Sequence, residues 1–150
     1  MNRVGFRLSV VDCLALCQKK GMDTMIAYHG KQQLKYERME RVRDHRDHDR
    51  LVAGTGWQDG IGCAVGCTLN NYSHQAYEEE LGIPVDLAHL EDSIFEGLAK
   101  SFDDNRHLDF PTDLLDAITP GADLSLVHPR FCLWLLNGED SPIPRESRNH

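Results

Sequence analysis

The chain has 150 residues, 41% of them hydrophobic and 27% charged, with five cysteines and a formal net charge of −8. That size and balance predict one domain with a core of its own, and no internal repeat or simple-sequence tract argues otherwise. The charge is lopsided, at +4 over residues 1–50, −7 over 51–100 and −5 over 101–150, which excludes a general nucleic-acid binder, because that function needs cationic surface to displace counterions from phosphates.

The opening stretch, MNRVGFRLSVVDCLALCQKK, has the basic-then-apolar order of a secretory signal. Asp12 interrupts the apolar run, Leu16 stands where a lipoprotein cleavage site needs a small residue, and the stretch is too short to span a bilayer. A cytoplasmic protein without membrane association is expected, its odd number of cysteines reduced. Residues 1–24 read as an N-terminal extension with one short helix over 8–18, and Met22 or Met25 is an alternative start. Residues 25–137 form the helical domain and 138–150 a polar tail.

Within the domain, residues 21–30 read as a turn or extended segment between Gly21 and Gly30. Residues 31–52 are rich in helix formers and free of Gly and Pro, with Tyr36, Met39, Val42 and His45 as a narrow buried stripe and Leu51 and Val52 beyond. Gly54 to Gly62 is a loop, and CAVGCTL makes two turns of helix. Ser73 caps HQAYEEEL, which Gly82 closes. Pro84 opens a helix to Ser101 whose core-facing stripe is Leu87, Leu90, Ile94 and Leu98, with Phe95 beside it. Pro111 opens a short helix carrying Leu114, Leu115 and Ile118. Asp123 caps a last helix whose FCLWLL segment is apolar all round and expected to be buried, with Pro129 at a kink or in its first turn. No run alternates long enough to be a strand. The fold class is all-α, a compact single-domain bundle of five or six short helices.

The chemistry-bearing stretch is GCAVGC, residues 62–67. If it is helical, Cys63 and Cys67 share a face, and Cys63 lies at the helix start, where free amides lower a thiol pKa. The first reading is packing, because these small residues let a helix press closely on a neighbour and free cysteine behaves as a small hydrophobe. The second is nucleophilic catalysis by Cys63, with His29, His45 or His74 as base and Glu78 one turn after His74 to orient it. The third is a tetrahedral zinc site from His45, His48, Cys63 and Cys67, an H-x2-H and C-x3-C set outside the strong zinc-finger signatures. No other cofactor is implied: GTGWQDGIG lacks the Lys-Ser/Thr and preceding strand of a phosphate loop. Glu91, Asp92 and Glu96 read as the wet face of an amphipathic helix before a catalytic carboxylate set, and His89, His107, His128 and His150 as structural or exposed.

AYHG at 27–30, GCAVGCTL at 62–69, YEEELGIP at 77–84 and LAHLEDSIFEGL at 87–98 together resemble a family of small uncharacterised bacterial proteins associated with phages and other mobile elements. The likeness spans about residues 26–136, ending in ITPGADLSLVHPRFCLWLL, and leaves residues 1–24 outside. It implies an intracellular setting and an accessory role in a phage or mobile element, and it carries over no catalytic role. It also draws attention to His29, Cys63, Cys67, His74 and Glu78.

The expected function is that of a small acidic protein-binding accessory protein, an inhibitor of a host protein that docks on a basic protein surface. A Cys63 enzyme and a zinc-stabilised domain are the alternatives. The bland account of the charge pattern is solubility plus docking of the basic helix on acidic ones within the chain.

Overall fold

The computed structural model describes residues 25–137, so the expected 8–18 helix and the polar tail lie outside the described residues. The described chain forms two units, Met25–Ser125 and the segment from Leu126. The fold is helical: six helices among the described residues accompany one two-stranded hairpin.

The first unit begins with a turn, Ala27–Gly30, in which Tyr28 (φ 52°), His29 (φ 49°) and Gly30 (φ 73°) are consecutively left-handed. For a non-glycine residue that conformation costs roughly 1–2 kcal/mol. Burial of Tyr28, whose hydroxyl donates to Leu115 O at 2.8 Å, offsets it. The flanking backbone is pinned by Ala27 N to Ala122 O, Gly121 N to Ala27 O and Leu124 N to Met25 O, each at 2.9 Å.

Helix α1, Gln32–Asp47, buries Lys35, Met39, Val42 and His45. The expected stripe is right from Met39 onward, but Tyr36 is exposed and Lys35 takes the inner position. The Lys35 stem lies along the core, and its ammonium reaches Asp116 O and Asp116 Oδ1, the latter at 3.3 Å. The helix ends five residues earlier than expected, because left-handed Asp49 (φ 55°) turns the chain and Leu51 bridges to Gly62.

Residues 54–62, expected to be a loop, hold a hairpin. Strand β1, Trp57–Gln58, pairs antiparallel with β2, Ile61–Gly62, in the register Trp57↔Gly62 and Gln58↔Ile61. Asp59 and Gly60 between them are both left-handed (φ 54° and 80°), which is the type I′ geometry that Asp-Gly favours. Helix α2, Ala64–Leu69, follows at once, and every one of its residues is buried. It packs against α1, β2, helix α3 (His74–Leu81) and helix α4 (Val85–Ser101), and so forms the centre of the unit.

Ser73 Oγ accepts from Ala76 N at 3.1 Å and Gly82 ends α3 in the left-handed region (φ 63°), as expected. Gly82 is also a close approach, since a Cβ there would lie 2.1 Å from Ile26 O. In α4 the structure corrects the expected face. Its buried residues are Ala88, Glu91, Asp92 and Phe95, while Leu87, Leu90, Ile94 and Leu98 are only half-buried. The helix is rotated by about one position from the leucine stripe, and two carboxyls read as wet face go inward. Helix α5, Phe110–Ala117, has Pro111 in its first turn and buries Pro111 and Leu115. Its last carbonyls are those taken by Tyr28 and Lys35.

In the second unit, helix α6, Val127–Asn137, has Pro129 in its first turn, where a missing N–H costs nothing. The expectation of burial is overturned there: none of its residues is buried, and Trp134 and Leu136 are exposed. No helix among the described residues is long and apolar enough to cross a membrane.

Candidate functional site

The GCAVGC segment is built small because backbone passes directly over it. A Cβ on Gly62 would lie 2.7 Å from Trp57 Cε3 and 2.8 Å from Gly56 O, and one on Gly66 would lie 2.0 Å from Gly56 O. Cys63 is the residue before α2. Its N–H donates to Thr55 O at 2.6 Å and Gly56 O at 3.2 Å, which fixes the hairpin against the helix start.

The Cys63 thiol lies within the electrostatic reach of Asp92. Burial pushes its thiol far above the ordinary range. The amides of Gly66 and Val65 oppose that shift, while the neighbouring Asp92 carboxylate reinforces it. With α2 only six residues long and Cys63 3% exposed, the amides lose. Cys67 is likewise held neutral: its thiol donates to Gly62 O (3.2 Å) and Arg50 O (3.5 Å), and burial pushes it up to about 12.

Asp92 is the hub of the cluster. Its Oδ1 accepts from Val65 N at 3.3 Å and its Oδ2 from His74 Nε2 at 2.8 Å. Tyr72 is raised by burial and by the charge of the same carboxylate. The His74 ring stacks on His89 (centroids 3.8 Å apart, planes at 17°) and meets Tyr72 edge-on at 5.1 Å. The Asp92 and His74 side chains are 12% and 16% exposed, so the pair sits just beneath the surface, with Tyr72 and His89 at the solvent side.

Cys63 and His74, two of the expected catalytic residues, are thus brought to one carboxylate. The order is thiol–carboxylate–imidazole, whereas an activated nucleophile has the imidazole on the sulfur. A carboxylate beside a buried thiol disfavours the thiolate, so the arrangement stores Cys63 as S–H. The other two residues are elsewhere. His29 Nε2 donates to Glu79 O at 3.1 Å on an exposed turn. Glu78 Oε2 accepts from Val85 N at 3.0 Å at the start of α4, and the orienting role expected of it falls to Asp92.

Of the expected metal ligands, His45 donates from Nε2 to Asn70 Oδ1 at 2.7 Å and lies edge-on to Trp57. His48 is exposed and bonded to Asp44, while the Cys67 thiol donates to backbone carbonyls. No group of three metal-ligating side chains occurs among the described residues.

The charge asymmetry is partly consumed within the fold. Arg38–Glu80 (3.0 Å) and Arg46–Asp109 (2.6 Å) join Lys35–Asp116 in tying α1 to its acidic neighbours. Arg38 and Arg41 also donate to Thr68 O in the last turn of α2, where a cation is favoured. Outward-facing acids remain at Glu79, Asp86, Asp103 and Asp113, all exposed.

Asp92, Tyr72 and His89 were not singled out from the sequence as site residues. The signal was present as the spacing Ala88, Glu91/Asp92, Phe95, a helical stripe in competition with the more apolar leucine one. Comparison of the chain with protein-family models, with curated proteins and with solved structures finds no match.

Proposed function

We propose that this chain is a small acidic accessory protein of the cytoplasm that binds a basic surface on a protein partner. The resemblance to phage and mobile-element proteins supplies the setting, in which inhibition of a host protein is the natural role. The supporting observation is where the charges go. Four of the five cations of α1, Lys35, Arg38, Arg41 and Arg46, are engaged by other elements of the fold, while residues 51–125 carry fourteen acids against Lys100 and Arg106. An acidic face of that kind speeds encounter with a cationic partner and disfavours acidic ones. The test is crosslinked capture with the full chain as bait, compared with a triple variant Glu79→Gln, Asp86→Asn, Asp113→Asn. These three acids are exposed and take no part in the buried cluster. A basic partner retained by the wild type and lost at least tenfold by the folded triple variant supports the reading, and equal retention by both sinks it.

A second reading, an enzyme with Cys63 as nucleophile, is favoured by the convergence of Cys63, Asp92 and His74 and by the Val65 and Gly66 amides that face the sulfur. It requires the thiol to be deprotonated in a rearranged site, because Asp92 and burial both oppose the thiolate in the present one.

A further inference from the structure

Glu91 and Asp92 are consecutive carboxyls on the buried face of α4, and their surroundings are unequal. Asp92 has donors on both oxygens. Glu91, 1% exposed, accepts one hydrogen bond, from the Tyr77 hydroxyl to Oε2 at 2.6 Å, and its Oε1 is buried without a partner. The ionisable groups that face it are Tyr77 of α3, Tyr28 of the left-handed turn and Asp92 on its own helix. Beyond them, His74 of α3 bonds Asp92, Thr68 of α2 lies beside Tyr77, and Asp116 after the buried Leu115 of α5 acts on Tyr28. His107, in the 106–108 turn, lies over Phe95 one turn further along α4. Each group in direct reach of Glu91 is therefore neutral or negative. A buried carboxylate with one bare oxygen and no cation is far costlier than the neutral acid. Burial, with the charge of Asp92 adding and the Tyr77 hydrogen bond opposing, raises Glu91 to about 8.

We propose that Glu91 is stored as the neutral carboxylic acid and that this neutrality keeps α3 latched onto α4, so that losing the proton puts an uncompensated charge between the helices, releases α3 and dismantles the Asp92 cluster in the same step. Opening exposes Glu91 to water, where it ionises near its ordinary value of 4.5. Between 4.5 and 8 the closed form then holds one proton more than the open form. Opening becomes easier by about tenfold per pH unit across that window, and the effect levels off above it.

The experiment is hydrogen exchange of the α3 amides in the full chain from pH 5 to 9, corrected for the intrinsic chemical rate. In the wild type, protection falls about tenfold per unit up to pH 8 and then flattens. Glu91→Gln, which keeps the shape without the proton, has a flat profile. His74→Gln, included because it removes the imidazole bonded to Asp92, lowers protection but keeps the slope. A flat wild-type profile, or a Glu91→Gln profile with the wild-type slope, overturns the proposal. So does a slope abolished by His74→Gln alone, which would make the histidine the switch. Should Glu91→Gln fail to fold, Tyr77→Phe removes the one donor to the ionised form and moves the plateau to higher pH; a plateau that stays in place overturns the latch.

Discussion

Replacing Gly66 with alanine sets two effects of opposite sign against each other. Alanine is the better helix former by about 1 kcal/mol in a helix interior. In α2, however, the new Cβ would lie 2.0 Å from Gly56 O, whereas ordinary contact begins at 3.4 Å. The obstacle is backbone, and that carbonyl also accepts from Cys63 N, so relief requires the hairpin to move as a body. Overpacking of this kind costs typically 1–3 kcal/mol, and the upper end applies where no side chain can rotate away. The expected net effect is a loss of about 2 kcal/mol, read by equilibrium denaturation in urea followed by far-UV circular dichroism. Gly97→Ala is the internal control. It lies in α4 with nothing within 4 Å of the added Cβ, so it should gain about 0.5–1 kcal/mol from propensity alone. A Gly66→Ala protein as stable as Gly97→Ala would refute the claim that GCAVGC is small because backbone presses on it.

Three further outcomes follow from the same structure. Ser73→Ala removes the α3 cap and costs about 1 kcal/mol in the same denaturation assay. Asp92→Asn breaks the charge-assisted bond to His74 and costs about 2 kcal/mol, while site-resolved alkylation at alkaline pH shows Cys63 easier to ionise than in the wild type, because a charge opposing the thiolate is gone. Global stability declines from about pH 5 to pH 8, since Glu91 binds a proton in the folded chain up to about 8 and in the unfolded chain only up to 4.5; the full linkage is at most about 5 kcal/mol, with its stabilising part complete below pH 4.5, and Glu91→Gln removes it.

Local signals in the sequence carried much of the fold. Ser73 with Gly82 bracketed α3, Pro111 opened α5, and the long charged helix ran inward along Met39, Val42 and His45, because caps and periodicity act within a few residues. The hairpin was read as a loop, because strands of two residues leave no alternation to support the Asp59-Gly60 turn signal. The inward face of α4 was not legible. Apolar periodicity favours Leu87, Leu90, Ile94 and Leu98, and only tertiary partners, the Tyr77 hydroxyl for Glu91 and His74 with Val65 N for Asp92, make a face with two carboxyls the buried one. The candidate site failed to read in full for the same reason. Cys63 and His74 stood out by residue type, whereas the carboxylate that joins them lies 29 and 18 positions further along the chain. The internal half of the charge pattern was legible, since basic α1 is tied to acidic neighbours by Lys35–Asp116, Arg38–Glu80 and Arg46–Asp109.

The central claim is that Cys63 is held as a buried, protonated thiol beside Asp92, with function carried by the acidic surface. The direct measurement is the alkylation rate of Cys63 by iodoacetamide in the reduced full chain, resolved by peptide mass spectrometry from pH 6 to 10 and normalised to the denatured chain. The account predicts protection across this range, with no plateau of thiolate reactivity near neutrality. Alkylation of Cys63 at pH 7 faster than in the denatured chain would contradict it and put the nucleophile reading first.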